Sequence, residues 1–232
     1  MNGHWLTIKQ QENKEYSGYL SLPPSGSGPG LILIQEIWGV NAHIQAVADQ
    51  YALAGYVVLA PDIFWQLEHR VNLDYDDAGN QQAFSLYGKL DFADAAEHLV
   101  DAVSTLRALP AVTAKVGVVG FCMGGQLAFR TAALSDVDAA ICYYGGGIDG
   151  CLQLADKISQ PIMFHYAMQD GHITQDAVQK VKAAFTQHNN AIFHDYAATD
   201  HGFNCWGRPA MYNQQASALA LGRSLVFLSQ HL

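Results

Sequence analysis

The segment Gly120-Phe121-Cys122-Met123-Gly124 reads G-x-C-x-G. This is the spacing of a nucleophile elbow, with sulfur in place of the usual serine oxygen. The spacing has a steric origin: a strand that turns straight into a helix brings the residues two before and two after the nucleophile into contact, so both must be glycine. Such a turn lifts the thiol above the sheet edge. The helix that follows points its N-terminus at the sulfur, and its dipole favours the thiolate. The N–H of Met123 then faces the place where an oxyanion would form. The competing reading is a tight turn around a buried, inert cysteine. Phosphate binding is disfavoured, because Gly120, Gly124 and Gly125 lack the G-x-G-x-x-G spacing.

A cysteine nucleophile needs a base and an orienting carboxylate, which follow an elbow in the order nucleophile, acid, base. Asp170 stands in Gln169-Asp170-Gly171, at the carboxyl end of an apolar run from Pro161 to Tyr166. Asp176 is the alternative, but it falls in the next helix. His201 stands in Thr199-Asp200-His201-Gly202-Phe203, after a further strand, Ala191 to Tyr196. Of the other histidines, His4, His69, His188 and His231 suit the surface, and His165 and His194 fall within strands. His172 competes as the base but shares a loop with Asp170. The loop Gln35-Glu36-Ile37-Trp38-Gly39 offers the N–H of Ile37 as a second oxyanion donor. Glu36 would bring a carboxylate close to the thiol, or pair with an arginine.

The elements that must position these residues read as alternating strands and helices. Strands are expected at Tyr16–Leu22, Leu31–Ile34, Tyr56–Ala60, Val116–Gly120, Ala139–Tyr143, Pro161–Tyr166 and Ala191–Tyr196. Helices are expected over Ala42–Leu53, Phe92–Leu109, Gln126–Leu134, Ala177–Gln187 and Met211–Leu232. Pro23 to Gly30 reads as a hairpin loop between two strands, and Phe64 to Tyr87 as an irregular cap over the sheet. The alternation predicts an α/β domain spanning residues 1–232, with a mostly parallel sheet covered on both faces and right-handed crossovers.

Composition narrows the function. The 232 residues carry 12 Lys+Arg against 21 Asp+Glu, a net charge of −9. That balance, without a basic cluster, argues against a nucleic-acid partner. No apolar run reaches the ~18 residues of a membrane span. The polar start, Met1 to Gln11, lacks the apolar core of a signal peptide. The four cysteines form no C-x-x-C pair. Free thiols in a cytoplasmic protein are therefore expected, with no metal or cofactor implied.

With these residues in place, the sequence resembles the dienelactone hydrolase (carboxymethylenebutenolidase) family. The matching stretches are Gln35 to Asn41, Ala60-Pro61-Asp62, Val118 to Gly125, Tyr143-Tyr144-Gly145, Gln169-Asp170 and Ala198 to Phe203. The resemblance implies an α/β-hydrolase fold, a Cys122–His201–Asp170 triad and hydrolysis of a lactone or small carboxylic ester by a monomer or homodimer. It implies that Glu36 contacts the resting thiol until substrate binds, and it places Tyr144 and Trp38 beside the substrate. Two arginines grip the substrate carboxylate in dienelactone-cleaving members. Their places fall near Asn80 or Gln81 and near Cys205, none of them arginine. Arg208, shifted from the second place, is the best remaining cation, with Arg70 and Lys89 behind it. A general esterase or thioesterase, a non-catalytic ligand-binding protein and a redox sensor built on Cys122 are the alternatives.

Overall fold

The computed structural model describes residues 3–232; Met1 and Asn2, the start of the polar N-terminal stretch, lie outside them. Eight strands form one sheet. In chain order they are β1 (His4–Gln11), β2 (Lys14–Ser21), β3 (Gly28–Ile34), β4 (Val57–Pro61), β5 (Val112–Phe121), β6 (Ala139–Tyr143), β7 (Ile162–Ala167) and β8 (Ala191–Tyr196). Across the sheet the order is β1-β2-β4-β3-β5-β6-β7-β8. Contacts of β1 with β2 and of β2 with β4 are antiparallel, and every later pairing is parallel. The continuous apolar run Leu31–Ile34 lies at the centre and is fully buried, as expected for a strand covered on both faces.

Six α-helices connect the strands: α1 (Ala42–Leu53), α2 (Asp77–Tyr87), α3 (Phe92–Arg107), α4 (Met123–Leu134), α5 (Gln175–Ala184) and α6 (Gln214–His231). Two glycines show that both faces are covered. A Cβ on Gly30 would meet Leu106 of α3, and one on Gly117 would meet Leu228 of α6. Leu31 stands beside Gly117 in parallel register. Gly30 and Gly117 therefore point to opposite sides of the sheet, with α3 on one and α6 on the other.

Three expectations need correction. Pro23–Gly30 is not a hairpin loop: β2 pairs with β4, and the segment carries the chain past β4 to the centre of the sheet. The hairpin is instead β1–β2, unmarked in the sequence because most of the edge strand β1 faces solvent. The cap contains a regular helix, α2, which hides its period because only Gly79, Ala83 and Leu86 are buried. Asp76 caps it by accepting from the Gly79 N–H at 2.7 Å. Boundaries also move: α4 begins three residues before the expected Gln126, at Met123, and α6 begins after Met211, where Asn213 caps the Ala216 N–H.

The start of α4 against the end of β3 is what presents the elbow to the oxyanion loop. A Cβ on Gly124 would collide with the backbone carbonyls of Ile34 and Gln35, and backbone cannot swing aside as a side chain can. Gly124→Ala is expected to destabilise the protein by about 3 kcal/mol and to lower Tm by roughly 6–12 °C, read by thermal unfolding followed by circular dichroism. An unchanged Tm would show that α4 can slide along the strand end.

Candidate active site

Cys122 sits between β5 and α4 with φ 57° and ψ −117°, a conformation that L-residues other than glycine rarely adopt. Its surroundings fix it there. The Cys122 N–H donates to the Tyr143 carbonyl of β6 at 3.0 Å, and its carbonyl accepts from Gly125 N–H at 2.9 Å. A Cβ on Gly120 would strike the Gly124 carbonyl, so the steric rule read from the sequence operates in the fold. Cys122 occupies the N-cap of α4 but gives the helix no side-chain cap. Its sulfur is thus free for other partners, and Met123, the first helical residue, has an N–H without an intrahelical acceptor.

The other two predicted residues converge on this sulfur. His201 Nε2 lies 3.0 Å from Cys122 Sγ, and His201 Nδ1 lies 2.8 Å from Asp170 Oδ2. Asp170 Oδ1 accepts from the N–H groups of His172 and Ile173 at 2.8 and 3.0 Å. The acid and base loops are tied by backbone bonds beyond the paired strands β7 and β8. Met168 N–H donates to the Tyr196 carbonyl at 3.0 Å and Gln169 N–H to the Thr199 carbonyl at 2.9 Å. The side chains are nearly shielded from water, 9% exposed for His201 and 1% for Asp170. Burial alone would disfavour an imidazolium. The adjacent Cys122 sulfur and the Asp170 hydrogen bond outweigh it and push His201 up to about 10. Asp176 lies in α5. His172 is exposed on the acid loop, with its ring edge-on to His201.

A cleft of about 410 Å³ opens above the sulfur. Cys122, Met123, Ile37, Trp38, His201 and Arg208 all line it. Ile37 and Met123, whose N–H groups are the expected oxyanion donors, are thus both among its lining residues. Trp38 donates from Nε1 to Asn80 Oδ1 at 2.9 Å, and the Arg208 guanidinium lies over its ring at 4.7 Å. Arg208 therefore reaches the cleft despite its shifted place in the sequence. Arg70 pairs with Glu15 at 2.9 Å outside this cleft, and Lys89 lines a different depression. The helix missed in the sequence, α2, supplies Asn80, Phe84 and Tyr87 to the outer wall. Phe84, 58% exposed, had no signal beyond standing in a cap.

Two expectations fail at this level of detail. Tyr144 does not line the cleft: it is fully buried behind His201, with ring centroids 5.2 Å apart, packed against Phe121 and Phe203. Nor does Glu36 hydrogen-bond to the thiol, whose partner is His201. Both Glu36 oxygens are buried without a hydrogen bond of normal geometry. Burial raises its carboxyl above the ordinary range, against the pull of Arg208 and His201. Its polar neighbours are Cys205 and Tyr144.

Comparison with known proteins gives a consistent picture. Residues 16–232 match the model of the dienelactone hydrolase family. The chain is 31% identical over 225 residues to carboxymethylenebutenolidase 1 of Cupriavidus pinatubonensis, covering 97% of this chain and 95% of that one. It is 29% identical, with the same coverage, to the carboxymethylenebutenolidase of Pseudomonas putida. The solved structure of a candidate dienelactone hydrolase from Klebsiella pneumoniae superposes with a TM-score of 0.84 at 24% identity, over 99% of both chains. The sheet and its helices are those of the α/β-hydrolase fold.

The proton on His201 depends on the sulfur beside it. Followed by NMR of labelled histidine, His201 is expected to remain protonated through pH 8 in the parent. In Cys122→Ala it is expected to titrate at least one unit lower. Identical titration in both would show that the sulfur does not hold the proton on the ring.

Proposed function

This chain belongs to the dienelactone hydrolase family, and we propose that it cleaves a lactone or small carboxylic ester through Cys122, His201 and Asp170. The observation that carries the proposal is the hydrogen-bonded line from sulfur to imidazole to carboxylate, open to the cleft at the sulfur end. Cys122 attacks the carbonyl as thiolate, and the N–H groups of Met123 and Ile37 hold the oxyanion. The His201 imidazolium gives its proton to the leaving alkoxide as the tetrahedral intermediate collapses to a thioester. Neutral His201 then takes a proton from water, whose oxygen attacks the thioester and releases the acid. That proton restores the imidazolium beside the freed thiolate. Asp170 orients the ring throughout and does not itself react.

The cleft suggests the substrate class. Trp38, Ile37, Phe84 and Tyr87 give the cleft an apolar lining, and among the described residues Arg208 is the one arginine or lysine that lines it. With a net charge of −9 on the whole chain, an anionic substrate meets a repulsive background except at Arg208. By the resemblance, the two arginine places of dienelactone-cleaving members fall near Asn80 or Gln81 and near Cys205, none of them arginine. This combination favours an ester or lactone with at most one carboxylate, and weak activity on the dienelactone itself.

Cys122→Ala is expected to retain less than about 1% of the parent's turnover of an activated ester. His201→Ala should lose nearly all activity and Asp170→Asn somewhat less, with the double variant scarcely worse than His201→Ala. Full multiplication of the two losses would show that they do not share one mechanism. Arg208→Ala should raise KM for an anionic ester about 10–100-fold, the loss of a charge-assisted hydrogen bond of ~1.5–3 kcal/mol. It should barely change a neutral one. Equal effects on both substrates would make Arg208 a support of its loop.

A further inference from the structure

Behind the oxyanion loop lies a group of donors that the hydrolytic reading does not use as a set. Glu36, His43 and Cys205 each present one ligand atom, and these atoms lie within 4.8 Å of one another. All three residues are buried, at 1%, 6% and 0% exposure. Both Glu36 oxygens and His43 Nδ1 are buried with no hydrogen-bond partner. Burying polar atoms unpaired costs about 1–3 kcal/mol each, and more for a charged group. Unpartnered polar atoms on two of three residues whose donor atoms lie this close together call for a ligand that accepts lone pairs.

We propose that Glu36, His43 and Cys205 form a binding site for a divalent cation of zinc's class. The donor set is one carboxylate oxygen, one imidazole nitrogen and one sulfur, which suits zinc or cobalt and disfavours magnesium and calcium. A tetrahedral zinc with bonds of about 2.0–2.3 Å holds its donors roughly 3.3–3.8 Å apart. The triplet therefore closes around the ion by no more than about 1–1.5 Å per pair, within reach of side-chain rotation. The sulfur–metal bond forms as the Cys205 S–H bond breaks and its proton passes to solvent. Glu36 and His43 contribute lone pairs, and His43 is available as a neutral ring because burial lowers it to about 4.

Of the three residues, His43 also lines a cavity separate from the substrate cleft. A second cavity of about 290 Å³ is lined by His43, Tyr75, Trp206 and Gly207 and shares no residue with the cleft above Cys122. Tyr75 lines this cavity and stands against Cys205, its oxygen 3.3 Å from the sulfur. The fourth coordination position falls to Tyr75 or to water. A fourth ligand from outside the triplet is a common arrangement for open zinc sites.

The test avoids the nucleophile, a competing thiol, by using the full chain with Cys122→Ala. Titration with Co²⁺ in metal-free reducing buffer is expected to give a thiolate-to-cobalt charge-transfer band that saturates at one ion per chain. Zn²⁺ should displace the ion, and Mg²⁺ in large excess should not. Adding Cys205→Ser is expected to abolish the band, and His43→Gln to weaken Co²⁺ more than about tenfold. His43→Gln also stands in where Cys205→Ser fails to fold, as judged by circular dichroism. In the Cys122-containing background, both substitutions should leave hydrolysis of a neutral ester near the parent level in metal-free buffer. A folded Cys122→Ala chain with no band, or a band that survives Cys205→Ser or is indifferent to His43→Gln, would overturn the proposal.

Discussion

Everything at the site hangs on the backbone of Cys122, held at a positive φ between β5 and α4. A non-glycine residue there costs of order 1–3 kcal/mol and survives only where its neighbours over-determine it. Here they do. The residue is clamped to β6 through the Tyr143 carbonyl. Gly120 and Gly124 let strand, turn and helix approach more closely than any side chain allows. The strain is what aims the sulfur out of the sheet instead of along it. It also explains why a large loss of stability is expected at Gly124, a residue that carries no chemistry.

Once the sulfur is fixed, the imidazole of His201 must reach it from three strands away. The sheet order β5-β6-β7-β8 separates Cys122 from His201, and Asp170, on the far side of the ring from the sulfur, comes from the loop after β7. Backbone bonds that zip the two loops together beyond β7 and β8 make Asp170 and His201 one unit. Asp170 uses one oxygen on its own loop's N–H groups and the other on His201. That division fixes the ring's tautomer and direction with a single side chain. The sulfur on one side and the carboxylate on the other then favour the imidazolium of His201, whose side chain is only 9% exposed.

What the sequence revealed follows from the range of the signals. Cys122, Asp170 and His201 were legible because each stands at a strand end marked by local glycine or aspartate punctuation. The central strands were legible as apolar runs. The path of residues 23–30 was not, because strand pairing is a long-range choice that no local turn residue records. The helix α2 escaped because a stripe of three buried residues leaves no period to see. Tyr144 was misplaced because a tyrosine at a strand end is equally suited to cleft or core, and Phe121 and Phe203 decided for the core. The approach of His43 to Cys205 joins α1 to the loop before α6, across more than 160 positions of the sequence, a spacing no metal-ligand pattern includes.

Three buried histidines show why residue type alone underdetermines chemistry. His165 is lowered well below its ordinary value by burial, and its two nitrogens are matched to the Tyr196 and Ser224 hydroxyls. It is a satisfied core group. His43 is lowered to about 4 by the same burial but keeps an unpartnered nitrogen, against the edge of Trp206. It is a neutral donor in need of an acceptor. His201 is buried almost as deeply, yet a sulfur on one side and a carboxylate on the other push it up to about 10. Desolvation is common to all three and sets none of their roles. The partner of each ring nitrogen does: hydroxyls fix His165 in the core, a thiol–carboxylate pair suits His201 to proton transfer, and an empty direction leaves His43 open to a metal.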